Sequence, residues 1–281
     1  MDAALALLGF VWNHPENRRG GLSSRVQAIA RLIAWQIWQR VTGRPLTMRL
    51  ADGIRLKCYP HSPQASAVIY CRMPEYRDMH FVRDFLAAND HFIDVGANIG
   101  VYSLTAASVA GTVIDAFEPS STAFPRLVEN VKLNHLESCI REHRAAVGRE
   151  SGTTLLTVGL DAMNRIVNAE SEAVHSEMVR LVSLDDSLGM SLDVAMVKID
   201  VEGCEEDVLQ GASALLSRCR PALIIEANDR DAITRVLKPL GYRQYSYSPE
   251  DRHLREVEWS REVGSNILAI ADLEDAISRL A

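Results

Sequence analysis

Asp94 and Glu118 each close a short apolar run, and three residues between them, Gly96, Asn98 and Gly100, are of types suited to a sharp turn beside a ligand. The string Phe92-Ile93-Asp94-Val95-Gly96-Ala97-Asn98-Ile99-Gly100 reads as a buried strand ending near an acid, a tight turn and a helix start, the position of a nucleotide site in α/β proteins. Gly96 and Gly100 let the backbone turn and approach a ligand closely, and Asn98 is the non-glycine type best able to adopt positive φ. The spacing is not G-x-G-x-x-G, because Asn98 stands where a dinucleotide fingerprint keeps the second glycine that admits a pyrophosphate. A ligand with a nucleoside but no pyrophosphate fits better, and S-adenosylmethionine is the common one. Ala116-Phe117-Glu118-Pro119 then sets a carboxylate 22 residues beyond Gly96, where it can accept hydrogen bonds from both ribose hydroxyls. Either acid alone would read as a cap or a surface charge; at the ends of adjacent strands they favour the nucleoside.

A third block, Val197-Lys198-Ile199-Asp200-Val201-Glu202-Gly203, again ends a strand in acids. Ligands of open α/β sheets bind outside the carboxyl ends of the strands, so Asp200 and Glu202 are the candidates for removing a proton from an acceptor, while Glu205 and Glu206 read as caps of the next helix. The eight histidines show no metal-ligand spacing, His143 being only a secondary candidate, and no metal is assigned. Asp200 with Glu226 and Asn228 is the alternative, an oxygen-rich magnesium site. No G-x-S-x-G elbow is present.

The elements that position these residues read as an α/β sheet. Strands are expected at His91–Val95, Val113–Glu118, Ile140–Val147, Ala195–Asp200 and Ala222–Glu226, and helices at Tyr102–Ala110, Ser121–Leu133, Glu205–Arg218 and Asp231–Leu240. Tyr242–Tyr247 and Asn266–Ala271, joined by a charged loop, suggest an antiparallel pair closing one edge. Within residues 151–183, Thr153–Val158 and Met178–Ser183 read as strands flanking a polar segment of the length of a lid or binding loop. Ahead of all this, Leu22, Val26, Ile29, Ile33, Ile37 and Val41 fall on one face of a helix over 22–42, ended by Gly43 and Pro45, and residues 46–59 read as a hairpin turning on Ala51-Asp52-Gly53.

The blocks F-I-D-V-G-A-N-I-G-V-Y-S, A-F-E-P-S, V-K-I-D-V-E-G with V-L-Q-G-A, and P-A-L-I-I-E, in this order, resemble the FkbM-type family of S-adenosylmethionine-dependent methyltransferases over about residues 91–271. The resemblance implies a class I methyltransferase sheet, Rossmann-like and mostly parallel with the last strand antiparallel, and O-methylation of a saccharide, glycolipid or natural-product hydroxyl. It implies a cofactor site on Asp94, Gly96, Asn98, Gly100 and Glu118, with Ala146 near the adenine and Asp200 near the reacting end. The rival readings are N-methylation of an amino sugar or peptide, and a noncatalytic nucleoside-binding partner of a glycan-assembly complex.

The chain of 281 residues is read as an appendage, residues 1–60, and a methyltransferase domain, residues 61–281. Net charge is -7, yet residues 1–50 hold seven arginines against Asp2 and Glu16, which leaves an acidic remainder and argues against a nucleic-acid partner. The expected partner is a hydroxyl-bearing glycan or small-molecule acceptor. Residues 22–44 add either a contact with its own domain or a second copy, or a peripheral contact with an anionic membrane. The apolar run Ala3 to Trp12 is too short to span a bilayer and lacks a basic lead, and five scattered cysteines suit a reducing compartment, so a cytoplasmic location is expected.

Overall fold

The computed structural model describes residues 2–50, 53–157, 166–167, 176–189, 192–261 and 264–281. Three helices come first, α1 (Asp2–Asn13), α2 (Pro15–Arg19) and α3 (Gly21–Thr42). Gly43, at φ 59°, ends α3 in the left-handed cap that glycine favours. The antiparallel pair β1 (Leu46–Arg49) and β2 (Arg55–Cys58) follows as expected, residues 51–52 of its turn lying outside the described residues. Two helices that the sequence did not signal complete this part: α4 (Pro63–Cys71), capped by Ser62 with Pro63 in its first turn, and α5 (Tyr76–Phe85). Val11, Ala28, Leu32, Trp35 and Leu56 join Phe92, Ile99 and Leu104 in one continuous core.

The apolar spacing in α3 does not mark its packed face. Ala28, Leu32 and Trp35 are the buried side chains, whereas Leu22, Val26, Ile33, Ile37 and Val41 are each more than half exposed. The helix therefore carries two apolar faces, and of the regular one only Ile29 packs in part against its own domain.

The βα units come next: β3 (His91–Val95), α6 (Val101–Ala107), β4 (Val113–Phe117), α7 (Ala123–Leu133) and β5 (Ile140–His143). The expected strand Ile140–Val147 is two strands. Its chain turns at Arg144 and Ala145, with the Ala145 amide donating to the His143 carbonyl at 3.0 Å, and β6 (Ala146–Val147) leaves for a second sheet. That sheet has the order β6-β9-β7-β8, from β7 (Gly152–Thr157), β8 (Ile166–Val167) and β9 (Ser176–Val182). Strands β7 and β9 match the two expected around the polar segment, and residues 158–165 and 168–175 lie outside the described residues.

The chain returns through α8 (Leu184–Ser187) to β10 (Met196–Ile199), α9 (Glu205–Gln210), α10 (Ser213–Cys219), β11 (Ala222–Glu226), α11 (Arg230–Leu237), β12 (Arg243–Ser248), β13 (His253–Val257), β14 (Asn266–Ile270) and α12 (Leu273–Leu280). The single helix expected over 205–218 breaks at Gly211. A Cβ there would lie 2.1 Å from the Gly148 carbonyl oxygen, and the Gly211 carbonyl accepts the Asp185 amide, so a close crossing of chains interrupts the helix. The main sheet runs β13-β12-β14-β11-β10-β3-β4-β5. Strands β11, β10, β3, β4 and β5 are parallel, and β14 enters antiparallel between β11 and β12. The expected closing pair is present, extended at the edge by β13, which arises from the charged loop.

Candidate active site

Chain order reverses between β3 and β10: the strands after β3 build outward on one side and those after β10 on the other. This is the switch point where ligands of such sheets bind. Gly96, at φ 81°, rests directly on the other half, since a Cβ would lie 1.8 Å from the Asp200 carbonyl oxygen. No side chain fits there. The turn continues through Asn98 at φ 51° to Gly100 at φ 92°, which opens α6.

A cavity of about 320 Å³ opens over the strand ends. Gly96, Asn98, Glu118, Ala146, Asp200 and Glu202 line it, as does Glu226 at the end of β11. Phe117, Val147 and Leu156 supply apolar wall, and Pro63, Gln64 and Ala67 of α4 close one side. Asp94 and Gly100 do not line it. Asp94 is buried beneath the turn, where it accepts a 2.5 Å hydrogen bond from the Ser103 hydroxyl, and Gly100 is packed against Leu127.

Glu118 is held by its surroundings. One carboxylate oxygen accepts the Asn98 amide and the other the Ser120 amide, both at 2.8 Å. A carboxylate has about four acceptor positions, so each oxygen keeps room for one further donor. Burial pushes its pKa up to about 7 against these two amides, with Asp94 and Asp200 adding to the rise. The buried Asn98 Oδ1 has no protein partner and is a further polar atom available to a ligand.

At the other end of the cavity Asp200, Glu202 and Glu226 bring carboxylate oxygens within 4.8 Å of one another. Burial, then the charges of Asp200 and Glu202, push Glu226 up to about 8, and burial raises Glu202. Glu202 sits at φ 56°, which turns the chain and directs it beside its neighbours rather than along the strand. Asn228 is next to this group and donates its side-chain Nδ2–H to Glu226 and Glu205, at 2.6 and 3.1 Å. Glu205, expected to cap α9, instead accepts the Gly203 amide ahead of that helix, whose N-cap, Cys204, makes no side-chain capping bond.

Below lies a polar network that sequence reasoning missed. Lys198, buried in β10, pairs with Asp200 at 3.1 Å, lies beside Asp94 in the strand register and sits 5.0 Å from the Tyr102 ring centroid. Burial would lower its pKa, but Asp200, Glu75 and Asp94 together hold it above the ordinary lysine range. Tyr102 donates to Glu75, and Asn266 donates to Glu75 and Asp78 at 3.1 and 2.8 Å. Burial, then the charge of Glu75, push Asp78 up to about 6. A lysine within the otherwise apolar strand Met-Val-Lys-Ile was the available signal, because a charge buried on both sides of a sheet requires partners. His143 is occupied elsewhere: it binds Asp115 at 2.6 Å, beside His91 and Arg141, and stacks on Phe117.

Residues 94–249 match the family model described as the methyltransferase FkbM domain. The chain is 29% identical over 147 residues to Methyltransferase 1 of Beauveria bassiana (strain ARSEF 2860), a match covering 44% of this chain and 59% of that protein. It is 27% identical over 198 residues to Methyltransferase sdnD of Sordaria araneosa, covering 59% of this chain and 76% of that protein. The chain thus spans less than two thirds of the first of these relatives. A solved structure, Methyltransferase FkbM from Methylobacillus flagellatus KT, aligns with a TM-score of 0.47 at 16% identity, covering 87% of this chain and 60% of that one.

Proposed function

The chain belongs to the FkbM methyltransferase family, and from that membership we propose that it methylates a hydroxyl of a saccharide, glycolipid or natural product, with S-adenosylmethionine as donor. The observation that carries this reading is one cavity with an anchored carboxylate, Glu118, toward β4 and an acid cluster, Asp200, Glu202 and Glu226, toward β10 and β11. The donor set suits this cofactor: Glu118 for the ribose hydroxyls, the Gly96 turn for close approach, Ala146 and Phe117 as apolar wall for the adenine, and Asp200 for the amino-acid end. When bound, the cofactor supplies an electrophilic methyl carbon on a sulfonium.

Glu118 and the Gly96 turn would hold the donor, and the cavity walls would hold the acceptor hydroxyl against it. Such alignment supplies several kcal/mol. With that methyl group supplied, the residues' own task would be to take up the proton the acceptor hydroxyl gives off, and the acid cluster would do so for a factor of about 10²–10⁴. At neutral pH the cluster shares a proton, since Glu226 is raised to about 8. The single-turnover rate should therefore rise with pH toward about 8, as that proton is lost. Glu202→Gln should lower the rate more than it weakens cofactor affinity, whereas Asp200→Asn, at the amino-acid end of the cofactor, should lower both. Near-normal rates in both variants across about pH 6 to 9 would exclude these two as the base and leave Glu226.

The test of the reaction itself is incubation with methyl-labelled S-adenosylmethionine and glycan or glycolipid extracts, with thermal shift by S-adenosylhomocysteine and NAD alongside. Label in an alkali-stable methyl ether and a shift with S-adenosylhomocysteine alone are expected. Label on nitrogen would move the assignment to an amine acceptor, and a shift with NAD alone would sink it.

A further inference from the structure

We infer that the exposed face of α3 docks the protein on an anionic lipid surface. Leu22, Val26, Ile33, Ile37 and Val41 recur at helical spacing and are 51–78% exposed, a stripe about 28 Å long at 1.5 Å per residue. The packing of α3 does not use them. Its opposite side carries Ala28, Leu32 and Trp35 into the core, and the Trp35 Nε1–H donates to Ser66 Oγ of α4 at 3.0 Å. Helix α1, which packs on α3, also leaves Leu5 and Phe10 exposed, 60% and 51%. An apolar surface of this extent marks an interaction site.

Charge selects the occupant. Residues 17–51 contain seven arginines and no aspartate or glutamate, whereas residues 51–281 hold 23 basic against 35 acidic side chains. Arg18 precedes the stripe, Arg40 adjoins its last residue Val41 and Arg44 follows it, all exposed, and none pairs with a carboxylate among the described residues. An apolar stripe bordered by unpaired arginines matches the interface of an anionic bilayer, with the apolar side chains among the acyl chains and the guanidinium groups at the phosphates. A second copy seated on the same face about a two-fold axis would run antiparallel and bring Arg18 of each copy toward Arg40 and Arg44 of the other, like charge against like, which is unfavourable. The helix lies along the surface rather than crossing it, since no helix among the described residues is long and apolar enough to span a membrane. Docking does not depend on the methyl-transfer reading.

The test is co-sedimentation of the full chain with vesicles of phosphatidylcholine alone and of phosphatidylcholine with about one third phosphatidylglycerol, with light scattering of the protein in solution. Binding to the anionic vesicles should exceed binding to the neutral ones at least tenfold and fall as salt is raised. Ile33→Ser with Ile37→Ser, both on the surface, should reduce it at least tenfold with unchanged unfolding temperature, and Arg40→Gln with Arg44→Gln should remove most of the preference for the anionic vesicles. Equal or absent binding to both vesicles would overturn the proposal. A dimer in solution that the isoleucine pair dissociates would also overturn it, assigning the face to a second copy.

Discussion

Glu118→Ala should raise the dissociation constant for S-adenosylmethionine by about 10²–10⁴, since two charge-assisted hydrogen bonds of about 1.5–3 kcal/mol each are lost. The change also frees the Asn98 and Ser120 amides, which the carboxylate fixes at 2.8 Å. Calorimetry on the folded variant measures the effect, and unchanged affinity would remove Glu118 from the site. A pH series separates charge from shape. Burial leaves the empty-site carboxyl at about 7, whereas a group accepting from two amides and two hydroxyls must be ionised. Affinity should therefore weaken as pH falls below about 7, approaching tenfold per unit, with a proton released on binding near neutrality. Glu118→Gln keeps the size, loses affinity and abolishes that slope.

Lys198→Met should destabilise the fold by about 3–5 kcal/mol, because removing one member of a buried charge cluster leaves the others uncompensated. Asp94 is already pushed up to about 6, by burial first and with the Ser103 hydroxyl and Lys198 opposing, and Asp78 to about 6 beside Glu75. Without the ammonium both would rise further. A carboxyl whose folded-state pKa lies above its unfolded value takes up protons on folding, so its penalty is largest above the folded pKa and fades as pH falls toward the unfolded one. Chemical unfolding at about pH 7.5 and pH 5 should show the deficit shrinking in acid. An equal deficit at both would mean that Lys198 matters for its packing volume and not for its charge.

The core sheet was legible because its strands are short, apolar and punctuated at their carboxyl ends by glycine or acid: His91–Val95, Val113–Phe117 and Ala222–Glu226 fall within a residue of the reading. The same punctuation revealed Gly96, Asn98 and Glu118, which do line one cavity. Asp94 was read as a ligand contact because its position by the turn resembles one, but alternation along β3 sends it to the interior beside Lys198. The breaks at Arg144 and Gly211 were not legible, since each depends on a second segment approaching from afar, His143 meeting the Glu118 amide and Gly148 crossing Gly211. Glu75 and Asp78 were hidden for a related reason: ordinary surface types in sequence, they acquire meaning only when α5 brings them to Asn266. In α3 the period located a helix but left its covering open between its own domain, a second copy and a membrane, because a regular apolar stripe identifies a face without saying what covers it.

Where the turn after β3 bears on the Asp200 carbonyl, backbone meets backbone with no side chain between. A side-chain contact would let the two ends of the cavity drift apart or together with each rotamer change; this one moves only if two hydrogen-bonded parallel strands slide past each other. The cavity is thus a gauge of fixed length, set by the sheet itself. Proteins of this build that act on different acceptors would keep the gauge and vary what hangs around it, here the inserted sheet and α4.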